Sequence, residues 1–199
     1  MSTTVNTQVA ASTDDAFEGS TGTMSLAAST IGAITTGNQW AGFRMQLNVP
    51  QGKVIDSATF QMYSVGTTND TLVADLYGQA ADDATTFTNS SGNISGRART
   101  TAKTSVNAVD VGVGWYSVDL TSVIQKIVNR PGWVANNYVV IILDGLTGIA
   151  WNCRAYDGTP SEAAKLSVTY SDPGGAGQPT IARARQVPGM RRPHLRQGW

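Results

Sequence analysis

The sequence predicts an all-β chain: an antiparallel β-sandwich of jelly-roll type with one short helix and an extended C-terminal tail. Three observations predict it. Apolar and polar residues alternate in run after run, which is the period of a half-buried strand. Gly, Asn, Asp or Pro punctuates the gaps between the runs. Only 14% of residues are charged, while Gly, Thr, Ser, Ala and Val dominate, a bias toward strands and turns.

The elements follow in order. In "FRMQLNV", Phe43, Met45, Leu47 and Val49 point one way and Arg44, Gln46 and Asn48 the other. Pro50 to Gly52 then turns the chain. "VIDSATFQMYSV" places Ala58, Phe60 and Met62 on one face, and "LVADLYG" does the same with Leu72, Ala74 and Leu76. The segment from Thr85 to Ala108 is long and polar and reads as a loop, functional or disordered. "GWYSVDL" sets Tyr116, Val118 and Leu120 on one face. "DLTSVIQKIVNRPGW" reads as a helix of about three turns that plugs one end of the sandwich. Asp119 or Thr121 caps it, Val123, Ile124, Ile127 and Val128 form its apolar stripe, and Pro131 stops it. "YVVIIL" (138–143) reads as a strand covered on both faces and is too short to span a bilayer. "IAWNCR" is a further candidate strand, and "KLSVTY" alternates through Leu166, Val168 and Tyr170.

The 199 residues suit one domain with a tail: a β-domain over 1–172 and an Arg/Pro/Gly-rich arm over 173–199. The net charge of zero hides a division. Residues 1–172 hold nine basic and fourteen acidic side chains, a net of −5, and the arm holds five arginines and no acid. Opposite charge draws arm to body, within one copy or between copies. The arm has too little periodic apolar content to fold alone and orders on a partner surface. Arg183, Arg185, Arg191, Arg192 and Arg196 are its candidate contacts with acids, and Trp199 its candidate pocket-filler. Docking on protein fits five arginines interleaved with Pro and apolar residues better than phosphate binding does, so nucleic acid is disfavoured.

The acid pairs pose the chemical question. Asp14 and Asp15 in "STDDAFEGS", Asp82 and Asp83 in "AADDATTFT", and Asp157 can serve a glycosidase, a metal or a turn. Neighbouring aspartates on an extended chain point to opposite faces, which favours turn and hydrogen-bonding duty over catalysis. Calcium at Asp14 and Asp15 is the alternative, and no other cofactor is expected. His194, the one histidine, lies in the arm, which removes a histidine triad or zinc site from the body. Cys153 is the single cysteine, so no intrachain disulfide forms, and it reads as a small buried hydrophobe. No phosphate-cradling glycine loop is present. Trp40, Trp115, Trp133 and Trp151 either fill the core or stack on sugar rings. Arg97 and Arg99 in "RART" are candidate glycan or partner contacts. The N-terminus shows neither a basic start nor an apolar run, the pattern of a chain made in the cytoplasm.

Taken together, "NQWAGFRMQLNVPQGKVIDSATFQMYSV", "ISGRARTTAKTSV", "DLTSVIQKIVNRPGW" and "AAKLSVTY" resemble a jelly-roll domain found in two settings. One is extracellular bacterial proteins, beside carbohydrate-active and adhesion proteins; the other is virion proteins of tailed bacteriophages. The resemblance covers residues 5 to 171 and implies no active site. It implies a virion structural protein, made in the host cytoplasm and located in the particle. A capsid decoration (cement) protein is the first expectation, with the major capsid protein or other virion proteins as partners. A homo-oligomer, with a trimer favoured, is expected, and no membrane contact. A tail, collar or head-fibre component is one alternative, and a carbohydrate-binding module another.

Overall fold

A computed structural model describes residues 1–32, 38–66, 70–147 and 151–174. Along them run β1 (Ser2–Gln8), β2 (Asp15–Glu18), β3 (Met24–Ser25), β4 (Thr30–Gly32), β5 (Gln39–Gln46) and β6 (Val54–Val65). Then come β7 (Thr71–Gln79), β8 (Arg99–Val109), β9 (Val113–Asp119), helix α1 (Thr121–Val128), β10 (Tyr138–Thr147), β11 (Asn152–Arg154) and β12 (Lys165–Ser171). The strands form two sheets, and every strand pairing is antiparallel.

The connectivity is that of a long hairpin wrapped into two layers. Among the longer strands the first pairs with the last, β1 with β12, then β5 with β10, β6 with β9, and β7 with β8. The first sheet therefore runs β1-β12-β6-β9, with β11 and β4 continuing it beside Ser64. The second runs β3-β2-β5-β10-β7-β8. This is the jelly-roll order.

Alternation puts the core between the sheets. Phe43 and Met45 of β5, Phe60 and Met62 of β6, Leu72 and Leu76 of β7, and Leu166 and Val168 of β12 are all buried. Phe43 and Phe60 meet across the layers with ring centroids 5.5 Å apart. Each such side chain contributes about 1.5–3 kcal/mol by leaving water. Trp133 and Trp151 join this core, and so does Cys153 on β11. Burial raises the Cys153 thiol pKa far above the ordinary thiol range.

Helix α1 closes the gap between the layers, packing on β6 of the first sheet and on β7 and β8 of the second. Its four apolar residues Val123, Ile124, Ile127 and Val128 are buried. The N-cap position is Leu120, without a side-chain cap; Asp119, one residue earlier, takes an orphan helix N–H, whereas Thr121 does not cap and ties the helix start to β6. The Asp119 carboxylate accepts the Thr121 N–H at 2.8 Å and its hydroxyl at 2.5 Å. The Thr121 hydroxyl oxygen in turn accepts the Ala58 N–H at 3.0 Å. The helix has eight residues, shorter than the expected three turns, because Asn129 already caps its C-terminus before Pro131.

The loop expected over Thr85 to Ala108 is corrected in two ways. Arg99–Val109 is strand β8, paired along β7. The remainder is packed: Phe87 and Ile94 lie on Ala16, Val140 and Ile142 and form a second, smaller core on the outer face of the second sheet. That cover explains why "YVVIIL" is apolar on both faces. It also explains Gly42 on β5, where an added Cβ would stand 2.4 Å from the Phe87 ring.

Candidate functional site

The chain's own loop sheathes the second sheet, and among the described residues nothing comparable covers the outer face of the first. Strand alternation turns one set of residues outward there, and register aligns them across strands. Gln8, Lys165, Gln61 and Ser117 form one row, and Asn6, Ser167, Thr59 and Asp119 the next. Tyr63 lies opposite Trp115. A groove of about 530 Å³ runs over this face, lined by Asn6, Gln8, Gln61, Lys165 and Ser167 among others.

The polar groups of the face divide into committed and uncommitted ones. The Gln61 amide donates to the Ser117 hydroxyl at 2.9 Å, and the Gln8 amide to the Pro160 and Ala163 carbonyls. The Asp119 carboxylate is turned to the start of α1. The side chains of Asn6 and Ser167 make no hydrogen bond among the described residues. At the end of the groove the Lys165 ammonium lies 3.6 Å from the centroid of the Trp115 ring. Tyr63 meets Trp115 edge to face at 5.3 Å. Trp115 keeps 37% of its surface exposed, whereas Trp133 and Trp151 are buried. Trp40 is half-buried and donates its indole N–H to Asp144 at 2.5 Å. Of the four candidate tryptophans, Trp115 is the one among the exposed large hydrophobic residues.

The acid pairs sit elsewhere and are engaged within the body. Asp14 meets Arg44 at 2.7 Å and accepts the Thr86 hydroxyl. Arg44 also stacks over the Tyr138 ring, 3.4 Å from its centroid. Asp15 is buried and accepts the Tyr156 N–H at 2.7 Å, pinning the turn after β11. Burial, and then the charges of Asp157 and Asp14, push its pKa up to about 7 against the pull of that hydrogen bond. Asp82 meets Arg130 at 2.6 Å, Asp83 accepts the Tyr138 N–H, and Asp157 accepts the Ser12 hydroxyl. Among the described residues no group of three or more His, Cys, Asp or Glu side chains is placed to hold a metal ion. The third acid of the opening stretch, Glu18, has a role the sequence did not announce. Its buried carboxylate accepts the backbone N–H groups of Ile94 and Ser95 and the Ser95 hydroxyl, and so holds the covering loop.

Arg97 is corrected from a contact residue to an internal brace. It is 9% exposed and donates to the Asn93, Thr85 and Thr86 carbonyls and to the Gln79 and Asn93 side chains. All five of its N–H groups are thereby used. Arg99 is half-buried, paired with Asp144 at 2.5 Å and bonded to the Ser95 and Arg97 carbonyls. Arg183, Arg185, Arg191, Arg192, Arg196, Trp199 and His194 lie outside the described residues, as do Ile149 and Ala150 of "IAWNCR". No protein-family model matches this chain, and neither does any curated protein.

Proposed function

We propose that the protein is a non-enzymatic structural protein of a bacteriophage particle, a capsid decoration protein fastened by its arm. The observation that carries this is the commitment of charge. Arg44, Lys53, Arg99, Lys103, Arg130 and Arg154 each pair with a carboxylate of the body, and Arg97 is held by neutral acceptors. The body still carries a net −5, and residues 173–199 carry the balancing five arginines. A body that pairs most of its cations internally and an arm rich in arginine divide the work: the body supplies the fold, and the arm grips acids on a neighbour. Neighbouring copies or the shell protein supply those acids, and a homo-oligomer multiplies the grip.

Removing residues 173–199 tests it. The truncated chain is expected to melt like the full chain and to lose co-sedimentation with DNA-filled particles. Full occupancy by the truncated chain would sink the arm mechanism. A full-length chain that stays at the top of the gradient would sink the virion reading.

A second reading is saccharide binding, in or out of a particle. It is favoured by the exposed Trp115 beside Tyr63 on a bare, amide- and hydroxyl-rich sheet face. Such a face offers stacking to a sugar ring and hydrogen bonds to its hydroxyls.

A further inference from the structure

We propose that the groove on the first sheet is a site for carboxylate-bearing saccharides, with Lys165 as the residue that selects the acid and Trp115 as the stacking platform. This inference rests on the saccharide reading and narrows it to one ligand class.

Three features, two in the groove and one beside it, converge on that class. The first is charge. Among the described residues three cations of the body meet no carboxylate: Arg97, which is buried among neutral acceptors, Lys126 and Lys165, and Lys165 is the one on this face. Its ammonium is held by the Trp115 ring, a contact that keeps the charge intact and leaves its N–H donors free for an anion. The acid nearest in register, Asp119, spends its carboxylate on Thr121 and does not neutralise it. The second is hydrogen bonding. Asn6 supplies an uncommitted amide with both donors and an acceptor, and Ser167 a hydroxyl, on adjacent strands of the groove floor. Sugar hydroxyls need that mixture, whereas a phosphate needs donors only. The third is the aromatic pair. Tyr63 buttresses Trp115 edge-on, so the indole is fixed in place while more than a third of its surface stays open. The Lys165 ammonium covers one face of that ring, so a pyranose stacks its C–H face on the surface that remains open, and a carboxylate reaching round the ring edge toward the groove meets Lys165.

The full chain tests the inference by titration calorimetry and tryptophan fluorescence. The probes are tetrasaccharides of galacturonate, guluronate and mannuronate and a hyaluronan tetrasaccharide, set against neutral cellotetraose, maltotetraose and mannotetraose. At least one uronate is expected to bind about tenfold or more tightly than its neutral counterparts, the worth of one charge-assisted contact. Lys165→Gln should erase that preference while leaving the residual affinity for neutral sugar. Trp115→Ala should weaken all binding about tenfold or more, with a melting check that the strand remains folded. Uronate and neutral sugars bound equally, both lost in Trp115→Ala, would overturn the acid selection and leave the saccharide reading standing. No binding by any probe would remove both. Binding unchanged in both variants would move the site off this face. A Glu-rich peptide that binds through Lys165 where no saccharide does would make the surface a protein interface and end the inference.

Discussion

Arg97 carries a full charge into the body and meets no carboxylate among the described residues. Burial, and then the Arg44 charge, lower its pKa below the ordinary guanidinium value. What holds it is a cage of neutral acceptors and the face of Phe87, 4.4 Å from the guanidinium carbon. Only the planar fork of arginine spans that cage; an ammonium offers three donors from one point. Arg97→Lys is therefore expected to cost about 2–3 kcal/mol in a urea melt, since buried carbonyls lose their partners. A cost below about 0.5 kcal/mol would mean the side chain is an ordinary surface charge. Asp15 makes a different prediction. Its folded pKa, about 7, lies above its ordinary value, so the folded chain holds the proton more tightly. The stability from this group is full below its unfolded pKa and is lost as pH rises through about 7. Asp15→Asn keeps an oxygen for the Tyr156 N–H and removes the charge. It should stabilise the protein at about pH 8 by on the order of 2–4 kcal/mol and do little at about pH 4. A variant-to-wild-type difference that stays constant with pH would refute the assignment.

At the level of elements, the covering loop behaves as a third layer laid on the second sheet. Glu18 and Phe87 fasten it to that sheet, and Arg97 braces it from within, reaching β7 only through Gln79. Gly42→Ala inserts a methyl group under Phe87 and should cost about 1–3 kcal/mol, chiefly by lifting the loop. Hydrogen exchange over residues 80–98 should rise in that variant. In a double-mutant cycle with Phe87→Ala the two effects should add to less than their sum. If exchange rises evenly over the whole chain instead, the loop is no separate unit. The strands most legible in the sequence were those whose inner residues are large: β5, β6, β7 and β12 alternate Phe, Met, Leu, Ile or Val with more polar residues, and β10 is a continuous apolar run. Strand β8 escaped because its inward residues are Thr100, Ala102, Thr104, Val106 and Ala108, of which Val106 alone is a large hydrophobe. β1 escaped for the same reason, with Val5 as its one apolar residue. The loop's order escaped because it comes from side-chain contacts with no local pattern: Glu18 reaching Ile94 and Ser95, Phe87 lying over Gly42, and Arg97 bonding carbonyls inside the loop.

Across the whole molecule, one sheet is sheathed and the other uncovered among the described residues, and residues 173–199 add five positive charges. Ionic attachment through the arm should weaken steeply above physiological salt, where the screening length falls below about 8 Å. The body's melting temperature should change little over the same range, because its stability lies in the apolar core. The candidate groove was not legible as a site. Trp115 stood among four equal tryptophans, and its neighbours Tyr63 and Lys165 come from strands far away in sequence. The wrapped topology alone brings β9, β6 and β12 side by side.

That same topology gives the body a direction. Ser2 and Ser171 are partners across β1 and β12, and both lie at the Val54 end of β6. Tyr63 and Trp115 lie at the other end of that strand, roughly 30 Å along it at about 3.3 Å per residue. Under the proposed attachment through residues beyond 172, the molecule is held at one pole and displays its aromatic pair at the opposite one, and a fusion ahead of Ser2 shares the pole of that attachment. A label meant to stand clear of it then belongs at the distal tip, on the Asp110–Gly112 turn.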